Sequence, residues 1–386
     1  MRILRIFRRV ALCLICSVLL CASLTLRIFA TEDKESLGMP EEYNGVIDEL
    51  PPEVADKLPE GIYSENVEDI GESLVEIGSA EYIFAFMGEL IGNGLGKAVS
   101  LAARLCGILI LSALFGSMKR NLSDVVSEAI GFCVSCAVFA AIIDVTYTQI
   151  EMVSDFFGRL NSLIVGMIPV TGAVYAMGGN IGTSVASSSG MYAFLAVSEG
   201  ICAKTIVPIS CVCIVMALCR GIAPNINLQG ITSGIKKCYT FVLGMIMTIL
   251  LALLSSQTAI TAAADSTAAR AAKMVTSSAI PVVGGSVAET LRTVASGVQY
   301  TKSVVGVGGI VFLLILLLPT LVSLLLTRLA FIFSGSVADL LGCESEVRLI
   351  RELDSVWGFM IAVVAMCSVM FVLAMTIFIK TTVAIL

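Results

Sequence analysis

Long apolar runs alternate with short polar stretches through most of the chain. Five runs, at 98–117, 128–147, 239–262, 304–327 and 357–379, reach the roughly 20 residues that a helix needs to cross a membrane. Aromatic residues that favour the membrane interface lie near the ends of these runs, namely Tyr147, Tyr239, Tyr300 and Trp357. The pattern predicts an all-α polytopic membrane protein whose transmembrane body occupies residues 98–386.

A further apolar region, 160–198, differs from these five runs. It carries no charged residue, yet it contains Pro169 and a polar, glycine-rich and serine-rich stretch between Gly178 and Gly190. This mixture predicts a broken helix or a re-entrant hairpin. Such backbone survives at membrane depth only where protein shields it or where it lines a wet cavity.

An internal repeat links this region to a later one. Ile168-Pro169-Val170-Thr171-Gly172 recurs 112 residues later as Ile280-Pro281-Val282-Val283-Gly284, and Pro208 and Pro319 follow the two motifs. We interpret the pattern as two copies of one proline-broken unit, at about 128–238 and 239–354, before a final span at 357–379. The predicted helix breaks and packing positions are Pro169, Gly172, Pro208, Pro281, Gly284 and Pro319. Chance similarity between short apolar motifs is the alternative.

The first 97 residues divide into a basic leader and an acidic segment. In residues 1–30, four arginines precede an apolar run that ends near Ala30, which predicts a signal peptide; an uncleaved anchor is the alternative. Residues 31–97 hold 17 Asp and Glu against 3 Lys. We therefore expect an acidic segment that is exported from the cytoplasm.

The acidic segment contains one candidate helix. Its apolar residues recur at roughly helical spacing: Ile62, Val67, Ile70, Leu74, Ile77 and Phe84. We expect this helix to lie on the membrane surface or to lead into the first span. Its charged face is either solvated or docked on a partner protein.

Charged loops predict the direction of the spans. With the acidic segment outside, the span 98–117 runs inward to Lys119 and Arg120, and the chain meets the cytoplasm again at Arg220. This agrees with the positive-inside rule. Both repeat copies then begin on the cytoplasmic side, so the predicted repeat is parallel. Many secondary transporters use inverted repeats, which slightly disfavours that class.

Composition excludes several classes of function. Apolar residues make up 57% and charged residues 14% of the 386 positions, against roughly 45–50% and about 25% in soluble domains. The net charge of −6 argues against a nucleic-acid binder. The absence of histidine excludes Ser-His-Asp hydrolases and histidine metal sites. We expect no enzymatic activity, no cofactor and no metal site.

Six charged residues lie in or beside apolar stretches, namely Arg104, Asp144, Glu199, Lys204, Glu289 and Arg292. A charge at the membrane centre costs about 2.5–3.5 kcal/mol on translocon scales, so each should find a partner or water. Arg104 and Asp144 match in depth and are predicted to pair, as are Glu289 and Arg292 at i, i+3, whereas Glu199 and Lys204 fit a pair less well. These charges either form a proton or ion path or hold helices together and reach towards the interface.

The thirteen cysteines do not predict a disulfide framework. Three lie in the leader and none in residues 31–97. Cys133-x-x-Cys136 and Cys211-x-Cys213 have spacings found in metal and redox sites, but both lie in membrane-length apolar runs without nearby histidines or a carboxylate cluster. We interpret them as small apolar residues at helix contacts.

One stretch of the body resembles a known family. It starts at Thr261-Ala262-Ala263-Ala264-Asp265, passes through Ala271-Ala272-Lys273 and Ile280-Pro281-Val282-Val283-Gly284-Gly285, and continues to Glu289-Thr290 and Ala295-Ser296-Gly297. Together with the order of leader, acidic segment and body, it resembles the stage III sporulation protein AE family of endospore-forming bacteria. The resemblance covers most of residues 98–386, whereas residues 31–97 match only in character.

The resemblance implies a multi-pass protein of the mother-cell membrane around the forespore. It implies a permease-like platform or conduit in a channel that joins the two cells. The implied partners are other stage III sporulation A proteins, including ring-forming proteins and an ATPase, and indirectly a forespore channel partner. The alternative function is a self-contained secondary transporter that uses Asp144, Glu199 or Glu289 as its coupling carboxylate.

Overall fold

The computed structural model describes Tyr43 and residues 59–64, 66–118, 124–177, 183–222, 229–278 and 284–380. Apart from short turns, the described residues are helical and contain no strand. A 3-10 helix at Glu60–Tyr63 is followed by α1 (Val67–Ile77), α2 (Ala80–Met118), α3 (Asp124–Met177), α4 (Thr183–Ile222), α5 (Gln229–Ser278), α6 (Gly284–Leu340) and α7 (Glu344–Lys380). The predicted signal peptide and most of the acidic segment lie outside the described residues.

Helices α2 to α7 each contain a stretch long and apolar enough to cross a membrane. The prediction of an all-α polytopic membrane protein is therefore confirmed. The described part of the chain has one crossing helix more than the five clear apolar runs, because Gly190–Cys219 in α4 is a single apolar stretch.

Helix α1 shows why the apolar spacing before the first span was informative. The Asn66 side chain accepts a hydrogen bond from the Glu68 backbone N–H at 3.2 Å and thereby caps the helix N-terminus. The apolar positions Ile62, Val67, Ile70, Leu74 and Ile77 are all buried. They pack against the bundle, where Leu74 lies beside Gly308 of α6, rather than forming a free surface helix. Phe84 is the exception, since it is 70% exposed.

The prolines do not break the described helices. Pro169, Pro208 and Pro319 each lie inside a continuous helix, so the prediction of breaks at these positions is wrong. A proline leaves one carbonyl without its usual partner, and membrane helices tolerate this when nearby groups compensate. Pro281 lies outside the described residues.

Neighbouring helices alternate in direction. Cys106 of α2 lies beside Ser334 of α6, and Ser112 donates to Glu346 just after the α6–α7 turn, so α2 runs parallel to α6. In α4, Tyr192 donates to the Met375 sulfur, whereas Cys202 lies beside Cys367, so α4 runs antiparallel to α7. By the same kind of contact, α5 runs parallel to α7 and α3 antiparallel to α6. Helices α3 and α5 therefore begin at the same end of the bundle.

The predicted repeat itself stays a prediction, because its second Ile-Pro-Val motif lies outside the described residues. The first motif lies near the end of α3. The helices do not stop at the predicted domain boundaries, since α2 continues across 97–98, α5 across 238–239 and α7 across 354.

Helices α6 and α7 form the centre of the bundle. In their most apolar stretches 83% and 72% of the residues are buried, whereas the other four crossing helices reach only 11–33%. A tight turn joins the two helices: Gly342 has a φ of 71°, and the Cys343 N–H donates to the Ala338 carbonyl at 3.1 Å. This is a Schellman C-cap, in which glycine adopts the left-handed conformation at little cost.

Candidate functional site

Buried and half-buried polar side chains follow the interface of α4, α5 and α7. We call this group the polar seam, and its members are Glu199, Cys202 and Thr205 of α4, Lys236 and Tyr239 of α5, and Ser355 and Cys367 of α7. On α4 and α5 the members follow one another at i, i+3, so they share the helix face that meets the neighbouring helices. On α7 the two members are twelve residues apart.

Hydrogen bonds join the part of the seam that lies near the start of α5 and α7. The Lys236 ammonium donates to Ser355 Oγ at 2.7 Å and so ties α5 to α7. One turn further along α5, Tyr239 Oη and Thr205 Oγ1 lie 3.0 Å apart and tie α5 to α4. The Tyr239 ring packs edge-on against Phe359 with a centroid distance of 5.5 Å. These contacts give the polar groups fixed positions between three helices.

Glu199, Cys202 and Cys367 form the most deeply buried part of the seam. One carboxylate oxygen and two sulfur atoms, one from each side chain, lie within 4.8 Å of one another. Glu199 has no exposed surface, and in the described structure its oxygens meet no oxygen or nitrogen donor, only the weakly donating thiol of Cys367. A buried carboxyl without such a partner is costly, so it must be protonated or bound to a group that the chain itself does not provide.

An ion pair lies close to the seam, between the two central helices. Arg328 of α6 donates to both oxygens of Asp354 of α7, through Nε at 2.8 Å and through a second guanidinium nitrogen at 3.4 Å. Their side chains are only 12% and 10% exposed. Gly358 makes room for the guanidinium, because a Cβ at that position would lie 3.1 Å from its central carbon. The two-pronged geometry compensates part of the cost of burying both charges.

A buried lysine occupies the opposite end of the central pair. Lys302 of α6 has no exposed surface, and its ammonium lies 5.0 Å from the Tyr175 ring centroid and 5.3 Å from that of Phe378. Aromatic faces attract a cation at such distances. Lys302 therefore has an aromatic surrounding inside the helical bundle.

These groups occupy three levels along α7, marked by Ser355, Cys367 and Phe378. At 1.5 Å per residue the levels are about 18 Å and about 16 Å apart, so together they span a length close to the hydrocarbon thickness. Tyr239 and Thr205 lie between the Ser355 and Cys367 levels, since Tyr239 packs against Phe359 and contacts Thr205. The described polar side chains are therefore spread over much of the length of the bundle.

Three of the predicted intramembrane charges lie on the outer surface of the bundle. Arg104, Asp144 and Lys204 are exposed, and none of them forms an ion pair with a described residue. The predicted Arg104–Asp144 pair is therefore wrong, because a match in depth does not fix the direction in which each helix turns its side chain. Glu199 and Lys204 do not pair either, because five residues correspond to about 140° around a helix and the two side chains lie on different faces of α4.

The predicted packing glycine Gly172 does not form a close helix contact, and the remaining predicted site residues lie at the start of α6. A Cβ added at Gly172 would meet no atom within 4 Å, so this glycine mediates no close helix contact in the described structure. The backbone of Gly284 begins α6. The side chains of Glu289 and Arg292 lie outside the described part, so their pairing stays a prediction.

Sequence reasoning missed the glycines that do allow close packing. A Cβ at Gly308 would lie 2.9 Å from Tyr43 Oη, and one at Gly309 would lie 3.1 Å from Met375. The signal was present as Gly306-Val307-Gly308-Gly309 in an apolar run. Burial of Tyr43 among these contacts raises the pKa of its hydroxyl.

The cysteine motifs chosen from spacing are not the cysteines that come together. Cys133 and Cys136 are exposed, whereas Cys202 and Cys367 are buried and adjacent to Glu199. Cys367 is distant in sequence, so only Glu199 and Cys202, at i, i+3, were available as a signal. All ten cysteines of the described helices and turns are free thiols.

Comparison with known proteins assigns the chain to a family. The family model of stage III sporulation protein AE matches residues 66–382. The chain is 24% identical over 299 residues to stage III sporulation protein AE of Bacillus subtilis (strain 168), an alignment that covers 75% of this chain and 72% of that protein. No solved structure matches. The chain is thus a multi-pass membrane protein that belongs to the stage III sporulation protein AE family.

Proposed function

We propose that this chain is a non-enzymatic component of a channel between mother cell and forespore. In this proposal it serves as a permease-like platform or conduit in the mother-cell membrane around the forespore. Its partners are other stage III sporulation A proteins, including ring-forming proteins and an ATPase, and its acidic segment lies outside the mother-cell cytoplasm. The chain contacts the forespore channel partner only indirectly, through these proteins.

The observation that carries the proposal is the exposure of Arg104, Asp144 and Lys204 on three different crossing helices. Each charge facing lipid would cost about 2.5–3.5 kcal/mol if it lay near the membrane centre. Partner helices with complementary polar groups would remove that cost. A protein that works alone has no reason to keep three such charges on its outside, whereas a platform uses them as contact points.

A specific observation also favours the second candidate function, a secondary transporter. Glu199 is buried without an oxygen or nitrogen donor in the described structure, as a carboxyl that binds and releases a proton or cation would be. Of the other two candidate carboxylates, Asp144 faces outward. The side chain of Glu289 lies outside the described part, so Glu199 is the candidate that the described structure supports.

Spore formation and co-purification separate the two functions. We expect Arg104→Gln, Asp144→Asn and Lys204→Gln each to reduce the amounts of ring proteins and ATPase that co-purify in mild detergent, and to reduce spore counts in parallel. Arg348→Gln is the matched control, because this exposed arginine lies next to the α6–α7 turn. Its substitution should leave both readouts unchanged.

The transporter would give a different pattern. Glu199→Gln would then abolish spore formation while co-purification stays complete. If the three surface variants keep all partners and form spores normally, the platform proposal is wrong.

A further inference from the structure

Three potential metal ligands converge in the polar seam although they come from distant parts of the chain. Glu199 and Cys202 share one face of α4, and Cys367 approaches them from α7. The ligand atoms lie within 4.8 Å of one another, and all three residues are buried. This is the one group of three or more Cys, Asp or Glu residues in the described structure that is close enough to share an ion.

The surroundings of Glu199 call for a cation. Its two oxygens lack an oxygen or nitrogen donor in the described residues, and the neighbouring Cys367 thiol is at most a weak donor. Neither Lys204 nor Lys236 serves it, because Lys204 is exposed and Lys236 lies at the level of Ser355, about 18 Å along α7 from Cys367. An ion bound between the carboxylate and the two sulfurs would satisfy the buried oxygens.

We propose that Glu199, Cys202 and Cys367 bind a zinc ion that joins α4 to α7. Two thiolates and one carboxylate are ligands that zinc accepts, and the soft sulfurs disfavour magnesium and calcium. On binding, the two thiols and the Glu199 carboxyl release their protons to solvent, two Zn–S bonds form and a Glu199 oxygen completes three protein ligands. A fourth, tetrahedral position remains for water or for another small ligand.

The geometry needs only a modest contraction. In a tetrahedral site with Zn–S distances of about 2.3 Å, neighbouring ligand atoms lie about 3.8 Å apart. The atoms here lie within 4.8 Å, so side-chain movements of about 1 Å suffice. The bound ion links an outer helix to a central one, independently of which function the protein performs.

Metal analysis of the full-length chain tests the proposal directly. The chain has no histidine, so an affinity tag without histidine avoids adventitious zinc. The protein is purified in detergent with a non-thiol reductant, exposed to zinc and then washed with a weak chelator. We expect it to retain about one zinc ion per chain, measured by elemental mass spectrometry. Cys202→Ser and Cys367→Ser should lose it. Cys213→Ser, a buried cysteine on the same helix, should retain it.

A second readout protects the test against variants that fail to fold. Cobalt added to the wild-type chain should give a thiolate-to-cobalt charge-transfer absorption that zinc abolishes. The proposal is overturned if wild-type protein shows neither retained zinc nor this absorption. It is also overturned if Cys213→Ser loses zinc as Cys202→Ser does, or if unreduced protein contains a Cys202–Cys367 disulfide in place of a metal.

Discussion

The central helices α6 and α7 and the outer helices α2 to α5 look alike in sequence but differ in what surrounds them. All six contain membrane-length apolar stretches, yet α6 and α7 are mostly buried in protein while α5 is the most exposed. The central pair also carries the buried Arg328–Asp354 ion pair and the closely packed glycines near Gly308. The outer helices instead turn Arg104, Asp144 and Lys204 outward.

This difference teaches that an apolar run in a membrane protein does not say whether lipid or protein covers it. Lipid and leucine are equally apolar, so the hydrophobic effect does not sort the helices inside a membrane. Small residues and satisfied polar groups do, because they allow close approach and specific contacts. The contrast between the central and outer helices therefore predicts where substitutions matter.

The largest effect should follow from breaking the central ion pair. Asp354→Asn leaves the Arg328 guanidinium buried without its countercharge, which should reduce the free energy of unfolding by about 3–5 kcal/mol. Reversible unfolding in detergent measures the loss. The control is Asp339→Asn, since the Asp339–Arg351 pair at the α6–α7 turn is half exposed. That substitution should cost only about 0.2–1 kcal/mol. Equal losses for the two variants would contradict a special role of the central pair.

A smaller effect is expected from filling the space at the central glycines. Gly309→Leu would force its side chain against Met375 and Met167, so we expect a loss of about 1–3 kcal/mol. Gly172→Leu is the matched control in α3, because its Cβ would meet no atom within 4 Å. We expect the control to cost less than about 0.5 kcal/mol. The same unfolding experiment measures both, and the comparison fails if the control is the more destabilised variant.

Much of the architecture was predictable from the sequence. The length of the apolar runs predicted the membrane-crossing helices, and the spacing of Val67, Ile70 and Leu74 predicted a helix before the first span, although its packing against α6 was not foreseen. Both signals are local in the sequence. The helix breaks at Pro169 and Pro319 were wrong for a physical reason, since proline is compatible with membrane helices whose neighbours compensate for the missing hydrogen bond.

The candidate site was much less predictable. Glu199 stood out as a charge in an apolar run, and Cys202 follows it at i, i+3, but this spacing is weak evidence because cysteine is also a common small residue at helix contacts. Cys367 is distant in sequence and gave no signal. The Arg104–Asp144 prediction used depth alone. Which residues meet across helices depends on rotation about each helix axis, and a single sequence does not contain that information.

The account depends most on the claim that protein, not lipid, covers the outward-facing charges. A photo-activated crosslinking amino acid introduced in place of Arg104, Asp144 or Lys204 in sporulating cells tests it. The control position is Phe241 of α5, an apolar side chain that is 68% exposed. We predict crosslinks to other sporulation proteins from the three charged positions and only lipid adducts from position 241. Lipid adducts alone at all four positions would contradict the account.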